Sequence, residues 1–295
     1  MNLKIKDKSL KFDINKNKKM KNIKILPIML VLAVMASLTA SSQEKITVKG
    51  SDTMVILAQK WAELYMKTNP SASIQVTGGG SGIGITALIN GTTDICNASR
   101  PMKQTEIEKL KARYNTLGVE IPCAKDGVTI FLNETNKVSE LTLQQLSGIY
   151  TGKIRNWKEV GGNDAEIRLY GRENSSGTYT YFHDEVVKAD YAANTQSLPG
   201  TAAVVNAVKK DVNGIGYGGA AYAVGVKNAK VKKDSNSTAY LPTKESIGKG
   251  AYPITRFLYM YLRNRPTGET KKYIDWILSA EGQMVVTEVG YFPVK

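Results

Sequence analysis

Along most of this chain, segments with the apolar pattern of a β-strand alternate with segments whose apolar residues recur at the period of an α-helix. Short apolar runs at residues 46–50 and 73–77 have the length and flanking residues of buried β-strands. Residues 53–69 instead place Leu57 and Trp61 one helical turn apart, and the pattern ends before a proline. Because both patterns alternate to the end of the chain, the sequence predicts an α/β fold with mostly parallel sheets.

The same criteria predict the remaining elements. Further strands are predicted at residues 94–98, 120–133, 167–170, 214–217 and 254–263. Further helices are predicted at residues 82–90, 104–114, 142–150, 177–187, 201–209, 267–278 and 281–286. The polar segment 227–250 predicts a loop. We interpret residues 120–133 and 254–263 as crossovers between two lobes. Lobe I is predicted at 43–132 plus 251–295, and lobe II at 133–250.

The N-terminal segment has the order of a secretory signal peptide. A basic run at residues 20–24 precedes an apolar run at 25–38, and small residues follow at 40–42. The apolar run is shorter than the roughly 20 residues of a membrane-spanning helix, although a permanent N-terminal anchor is the alternative. We predict a signal peptide at residues 1–42, with residues 1–19 a possible spurious extension upstream of Met20. The expected location is the periplasm, without a lipid-anchor cysteine.

The charge of the chain depends strongly on that segment. The full sequence has 40 Lys and Arg against 26 Asp and Glu, a formal charge of +14. Without residues 1–42, which hold nine Lys and two Asp, the balance falls to +7. The remainder has no long basic stripe with interleaved aromatic residues, so we expect no nucleic-acid partner. A modest positive balance suits an anionic ligand.

The cysteine and histidine content favours neither metal nor redox chemistry. Cys96 and Cys123 are the two cysteines, and they either form a disulfide in an oxidising compartment or stay as two buried thiols. With His183 as the single histidine, no spacing typical of a metal site is present. We therefore expect no metal and no cofactor.

Three separate segments combine glycines with small hydroxyl residues where a strand is predicted to end and a helix to begin. They are residues 50–54, 78–82 and 172–178. A helix start has unpaired backbone N–H groups and a partial positive charge, so three such starts at one point would bind an oxyanion. Arg100 and Arg172 flank these segments, and a guanidinium matches the geometry of tetrahedral oxyanions.

The glycine-rich segment 78–84 has two other interpretations. It could be a dinucleotide-binding loop, but no acidic residue ends the following strand, and a Walker loop would need a Gly-Lys-Ser/Thr sequence. A plain glycine-rich turn without a ligand is the second alternative.

Serine hydrolysis is the main enzymatic alternative. Ser81 and Ser176 lie at predicted strand-to-helix turns, yet Ile83 and Thr178 replace the second glycine of the Gly-x-Ser-x-Gly motif. A triad also needs a base. His183 lies about two turns into its predicted helix and points away from the helix start, so we expect no catalytic role for it.

Taken together, these segments resemble the phosphate-binding proteins of bacterial phosphate ABC transporters. The resemblance rests on residues 50–53, 78–82, 93–95, 98–101, 126–128, 149–157, 171–178 and 214–217, and it extends from about residue 46 to 292. It implies a two-lobed periplasmic-binding-protein type II fold. Two crossover strands then form the hinge, and the ligand lies in the cleft between the lobes.

The resemblance also implies a set of phosphate-binding residues. They are Thr53, Met54, Ser81, Gly82, Arg100, Arg172, Ser176, Gly177 and Thr178. Relatives with an aspartate at the position of Arg100 use it to accept a hydrogen bond from protonated phosphate. Such a carboxylate would reject fully deprotonated sulphate. We hypothesise that Asp52 or Asp126 replaces it here.

The implied function is high-affinity binding of inorganic phosphate by a monomeric receptor that delivers it to a membrane permease. No enzymatic activity is expected. The alternatives are binding of another oxyanion such as sulphate or molybdate, a secreted serine-dependent phosphatase or esterase, and an adhesion or signalling module that keeps the fold without the ligand.

Overall fold

A computed structural model describes residues 44–294 of the 295-residue chain. The predicted signal peptide therefore lies outside the described residues. Within residues 44–294, no helix combines the length and the hydropathy needed to cross a membrane.

The described residues contain ten β-strands and nine α-helices that alternate along the chain. The strands are β1 (Glu44–Gly50), β2 (Ala72–Thr77), β3 (Ile95–Ala98), β4 (Val119–Leu132), β5 (Glu140–Thr142), β6 (Arg168–Arg172), β7 (Gln196–Leu198), β8 (Gly214–Gly219), β9 (Lys227–Lys232) and β10 (Thr255–Leu262). The helices are α1 (Val55–Thr68), α2 (Ser81–Asn90), α3 (Gln104–Tyr114), α4 (Leu143–Tyr150), α5 (Gly177–Phe182), α6 (Thr201–Lys210), α7 (Lys244–Gly248), α8 (Gly268–Ile277) and α9 (Ala280–Val289). A π-helical turn, His183–Val187, extends α5.

The sheet runs in the order β2-β1-β3-β10-β4-β8-β6-β7. Strand β1 is parallel to β2 and β3, whereas β10 is antiparallel to both β3 and β4. Strand β4 pairs with β10 as far as Gly127 and with β8 from Val128 onwards. One continuous strand therefore belongs to both halves of the sheet, as expected for a crossover.

Two large hydrophobic cores lie on either side of this change of partner. The first includes Trp61 and Met260 and is built mainly from β1, β2, β10, α1, α8 and α9. The second includes Trp157 and Tyr217 and is built mainly from the elements between Val128 and Ile254. We call the parts of the chain around them lobe I and lobe II. This two-lobed α/β arrangement confirms the predicted fold class, while the lobe boundaries stay a prediction.

The predicted loop at residues 227–250 was wrong. The segment contains β9, which pairs with β4, and the short helix α7. Ala229 and Val231 on β9 are fully buried, with lysines between and beside them. Alternation of a small or medium apolar side chain with lysine is a strand pattern, but the high lysine content obscured it.

Both cysteines are buried free thiols, the second of the two predicted alternatives. The Cys96 thiol on β3 donates to the carbonyl of Asn97, and the Cys123 thiol on β4 donates to that of Leu258. Burial raises the pKa of both thiols. Each sulfur therefore packs as a small apolar group.

Glycine at position 84 allows α2 to pack closely on β1. A Cβ atom at Gly84 would lie 2.5 Å from the Cα atom of Gly50 and 2.6 Å from the carbonyl oxygen of Lys49. Both of these are backbone atoms, so they have little room to give way.

We therefore expect Gly84→Ala to lower the free energy of unfolding by about 1–3 kcal/mol, the usual cost of overpacking. The matched control is Gly248→Ala at the exposed end of α7, where a Cβ would have no neighbour within 4 Å. Urea unfolding of both variants checks this. Equal stability of the two variants would contradict the close packing of α2 on β1.

Candidate functional site

The three glycine- and hydroxyl-rich segments meet where the two lobes face each other. The hydroxyl oxygens of Thr53 in lobe I and Thr178 in lobe II are 2.8 Å apart, which is hydrogen-bonding distance. Ser81, at the start of α2, faces Gly177, at the start of α5, and a Cβ at Gly177 would lie 2.3 Å from the Ser81 hydroxyl. The predicted convergence of these segments is therefore present in the structure.

The first segment is a short 3-10 turn between β1 and α1. The N–H of Ser51 donates to the carbonyl of Asn97, which ties the turn to the end of β3. Tyr291, from beyond α9, donates its hydroxyl to the carbonyl of Thr53. These two contacts fix the turn, and Thr53 is buried with its side chain towards lobe II.

The second segment places Ser81 at the first position of α2. Its hydroxyl accepts a hydrogen bond of 3.0 Å from the N–H of Ser99, which follows β3, and lies 3.3 Å from the Ser99 hydroxyl. Gly80 precedes it with φ of 97°, a conformation in which a side chain would be strained. A Cβ at Gly80 would also lie 2.6 Å from the carbonyl of Ser175. This close approach requires glycine.

The third segment is capped by its own serine. The Ser176 hydroxyl accepts from the N–H groups of Thr178 and Tyr179, each at 3.2 Å, and so starts α5. Ser176 is therefore an N-cap residue. Its side chain fixes the backbone that presents Gly177 and Thr178 to lobe I.

Two backbone N–H groups of the predicted site have acceptors within the chain. The N–H of Gly82 donates to the carbonyl of Ser175 across the lobe interface at 2.9 Å, and the N–H of Met54 donates to the carbonyl of Ser51 at 3.0 Å. The predicted role of Gly82 and Met54 as amide donors to a ligand stays a prediction. In this conformation the Gly82 N–H contributes to lobe contact instead.

Arg172 is held on several sides at the end of β6. Its guanidinium donates to Asp52 of lobe I at 2.8 Å, to both carboxylate oxygens of Glu173, and to the Thr201 hydroxyl at 2.7 Å. Only 2% of Arg172 is exposed, so its charge is out of water and paired. The Arg172–Asp52 ion pair thus joins the two lobes.

The environment of Glu173 keeps it ionised. Burial alone pushes the pKa of its carboxyl upward, but the hydrogen bond and charge of Arg172, together with backbone N–H groups, outweigh burial. The net result is a pKa below the ordinary value. Burial affects Glu106, beside Arg100, in the same way, and the Arg100 hydrogen bond again makes the net shift downward.

Asp52 has contacts at both carboxylate oxygens. One oxygen accepts from Arg172, and the other accepts from the N–H of Gly79 at 2.8 Å. Its backbone carbonyl accepts from the hydroxyl of Tyr222 in lobe II. The predicted role of Asp52 as an acceptor for a protonated ligand stays a prediction, and its position beside Thr53 is compatible with it.

Asp126 forms a buried ion pair with Arg256, a residue that the sequence reasoning did not single out. The Arg256 guanidinium donates to one Asp126 oxygen at 2.7 and 3.0 Å, and the N–H of Ala220 donates to the other at 3.2 Å. Arg256 also donates to the Thr178 hydroxyl at 3.0 Å. Its position in a predicted apolar crossover strand, where an unpaired charge would be costly, was the signal that could have revealed it.

Arg100 pairs with Glu106 at the side of the cleft. Both terminal nitrogens of its guanidinium donate to Glu106 oxygens at 2.8 Å, in the forked geometry typical of arginine and carboxylate. Its Nε atom is buried and has no hydrogen-bond partner within residues 44–294. A direct role of Arg100 in ligand binding stays a prediction.

His183 lies at the far end of α5, as the sequence predicted. Its ring nitrogen is 2.7 Å from a carboxylate oxygen of Asp184, and the ring stacks on Tyr179. Ser176 and Ser81 use their hydroxyls as hydrogen-bond acceptors for backbone N–H groups. Within residues 44–294, no group of three or more His, Cys, Asp and Glu side chains is placed to hold a metal ion.

The arrangement combines buried hydroxyls with neutralised arginines. Thr53, Ser81, Ser99 and Thr178 are buried, and each can donate one hydrogen bond. The positive charges beside them are paired with carboxylates. Such a site can hold a small oxyanion by many directed donors rather than by net charge.

Comparisons with known proteins give a consistent result. A family profile described as "PBP superfamily domain" matches residues 36–281 of this chain. The phosphate-binding protein PstS of Pseudomonas aeruginosa is 33% identical over 263 residues, which cover 83% of this chain and 81% of that protein. The phosphate-binding protein PstS of Staphylococcus saprophyticus is 36% identical over 239 residues, covering 77% and 73%.

Solved structures extend the similarity to three dimensions. A crystal structure of a substrate-binding protein with bound phosphate from Clostridium perfringens matches with a TM-score of 0.77 and 31% identity, covering 85% of this chain and all of that one. A phosphate transport receptor from Vibrio cholerae matches with a TM-score of 0.68 and 30% identity, covering 84% and 99%.

The ionised state of Glu173 predicts a pH dependence of stability. A carboxyl whose pKa is lowered by folding stabilises the fold above its ordinary pKa of 4.5, and this stabilisation is lost as the pH falls through the folded value. We expect the free energy of unfolding of the wild type to fall below about pH 4.5, and less steeply in Glu173→Gln. Urea unfolding at a series of pH values measures both slopes.

The control for this experiment is Glu288→Gln, a change at an exposed position near the end of α9. It should leave the wild-type slope unchanged. Identical slopes for Glu173→Gln and the wild type would show that the Arg172–Glu173 contact does not contribute to stability.

Proposed function

The chain belongs to the phosphate-binding proteins of the PBP superfamily, and we propose from this that it binds inorganic phosphate between its two lobes for an ABC transporter. The observation that carries the proposal is the meeting of Thr53 and Thr178 across the lobe interface, with Ser81 and Gly177 beside them. Three segments that are far apart in sequence thereby bring hydroxyl and N–H groups together at one buried place.

The proposed ligand contacts come from both lobes. Thr53 and Ser81 donate from lobe I, and Thr178 with the Gly177 N–H donates from lobe II. The first residue of a helix has no acceptor for its N–H within that helix, so Ser81 and Gly177 each have one available. Arg172, whose guanidinium contacts Asp52 next to Thr53, adds a charged donor.

Hydrogen bonding rather than net charge would hold an oxyanion here. Arg172 contacts two carboxylates, Asp52 and Glu173, and Arg256 contacts one, Asp126, so these groups together carry no net positive charge. Attraction therefore comes from hydrogen bonds made in a site that excludes water, where each is stronger than at the surface. A phosphate has enough oxygens to accept from all of these donors at once.

Closure of the lobes provides the transport step. Strands β4 and β10 lie side by side where the chain passes between the lobes, because β10 begins opposite Gly127, the point at which β4 changes partner; this is the arrangement of a hinge. A ligand that contacts both lobes binds the closed state better than the open one and shifts the equilibrium towards it. We propose that a permease in the membrane recognises the closed form, that the chain acts as a monomer in the periplasm after removal of residues 1–42, and that no catalysis occurs.

Binding of another oxyanion and a serine-dependent phosphatase are less well supported. The Ser176 hydroxyl caps α5, and His183 contacts Asp184 at the other end of that helix. In the part of the chain that the structure describes, neither Ser81 nor Ser176 contacts a histidine, lysine or carboxylate that could act as a base. Titration with phosphate, sulphate and molybdate tests the ligand class, and release of phosphate from a chromogenic ester tests the enzymatic alternative.

Removal of Arg172 should weaken phosphate binding. We expect Arg172→Ala to cost about 2–5 kcal/mol of binding free energy, roughly thirtyfold or more in Kd, because Asp52 and Glu173 lose their partner. The control is Arg168→Ala on the same strand, whose side chain is 64% exposed and lies 3.8 Å from Asp211. Calorimetric titration measures both, and a loss below about threefold for Arg172→Ala would place it outside the binding site.

Asp52 should determine the selectivity for phosphate over sulphate. A carboxylate accepts a hydrogen bond from protonated phosphate and repels the oxygens of sulphate. We expect Asp52→Asn to reduce the ratio of the sulphate Kd to the phosphate Kd by about tenfold. Asp126→Asn, measured in parallel, tests the other candidate. An unchanged ratio in Asp52→Asn with a reduced ratio in Asp126→Asn would assign the role to Asp126.

A further inference from the structure

Arg256 lies on the hinge and contacts both lobes. It is on β10 directly opposite Asp126 on β4, so the two partners of the ion pair belong to the two crossover strands. Asp126 is fully buried and Arg256 is 6% exposed. The pair therefore links the two strands about which the lobes would move.

The remaining contacts of the guanidinium extend from the hinge into each lobe. One terminal nitrogen donates to the carbonyl of Ser99 in lobe I at 3.0 Å, and the other donates to the Thr178 hydroxyl in lobe II at 3.0 Å. The Tyr181 ring covers the guanidinium at 5.3 Å. Burial raises the pKa of the Tyr181 hydroxyl to about 12, so this ring stays neutral and apolar beside the charge.

The hydrogen bond from Arg256 restricts the directions in which the Thr178 hydroxyl can donate its own proton. A threonine hydroxyl has one proton and two acceptor positions. Because Arg256 occupies one acceptor position, the proton of Thr178 is directed elsewhere, towards Thr53 or towards an anion beside it. A hydroxyl that accepts from a charged donor is also a stronger donor itself.

We propose that Arg256 is a positioning residue for ligand binding, which holds Thr178 as a hydrogen-bond donor and ties its position to the hinge. This inference rests on the proposed function. Arg256 contacts the Ser99 carbonyl and the Thr178 hydroxyl at the same time only when the lobes are closed. Lobe closure therefore also orients the Thr178 hydroxyl as a donor.

An ordinary buried ion pair would have a different signature. If Arg256 only stabilised the fold, its substitution would lower stability and would weaken binding independently of Thr178. If it acts through Thr178, the two residues must be coupled in their effects on binding. A double-mutant cycle separates these cases.

The cycle combines Arg256→Lys with Thr178→Val and measures the phosphate Kd by calorimetric titration of the mature protein. Lysine keeps the charge next to Asp126, but its single nitrogen does not reach Asp126, Ser99 and Thr178 together in the geometry of the guanidinium fork. We expect each single variant to raise the Kd by about tenfold or more, and the double variant to lie within about threefold of the weaker single variant. Thr178→Ser, which keeps the hydroxyl, should restore most of the affinity lost in Thr178→Val.

The control cycle combines Arg256→Lys with Arg172→Lys. Arg172 shares no hydrogen-bond partner with Arg256 within residues 44–294. The factor by which Arg172→Lys raises the Kd should therefore be the same in the wild type and in Arg256→Lys. If Arg256→Lys does not fold by circular dichroism, the cycle is run with Arg256→Gln in an Asp126→Asn background, and Asp126→Asn alone is the reference, so that any direct contact of Asp126 with phosphate is lost on every side of the cycle.

The outcomes distinguish this inference from the proposed function. Coupling between positions 256 and 178 but not between 256 and 172 supports the positioning role. Phosphate binding by the wild type with multiplicative effects at positions 256 and 178 would overturn the positioning role and leave the proposed function intact. A wild-type protein that binds no phosphate would overturn the proposed function, and the inference with it.

Discussion

The ion pair between Arg172 and Asp52 connects parts of the chain 120 residues apart. Arg172 is almost completely buried, and an isolated charge at that depth would be unstable. Its partners come from both lobes, so the charge is fully satisfied only when the lobes meet. The Thr53–Thr178 contact, the fit of Gly177 against Ser81 and the Gly82–Ser175 hydrogen bond all require the same meeting. The site is thus a property of the closed pair of lobes.

A second buried ion pair, between Asp126 and Arg256, lies at the hinge and joins β4 to β10. The two arginines have different surroundings. Arg172 lies at the end of β6, next to the edge strand β7, and contacts two carboxylates, whereas Arg256 lies on the central strand β10 and contacts one. Replacing such a pair with apolar residues is often neutral for stability, so the value of the pair lies in its directed hydrogen bonds rather than in stability. In this molecule those bonds go to Ser99 and Thr178, which border the cleft from opposite sides.

The sequence predicted the parts of the fold that depend on local patterns. The helix at residues 104–114 was predicted with its observed ends, and the strands and glycine turns of the site were placed within a few residues. The segment 227–250 failed because lysines on the solvent side of β9 hid a strand whose inner face is formed by Ala229 and Val231. Pairing of Arg100 with Glu106, six residues away, depends on the direction of both side chains, and pairing of Arg256 with Thr178 depends on how distant elements pack. No periodicity in the sequence encodes those directions.

The two cysteines have a consequence for the internal motion of lobe I. Cys96 and Cys123 are buried thiols, so a thiol-specific reagent can modify them only after local opening of the surrounding strands. The modification rate of each sulfur would then report how often that part of the β-sheet opens. Cys96 and Cys123 are therefore two native probes of local opening in lobe I, and as free thiols they do not depend on an oxidising environment.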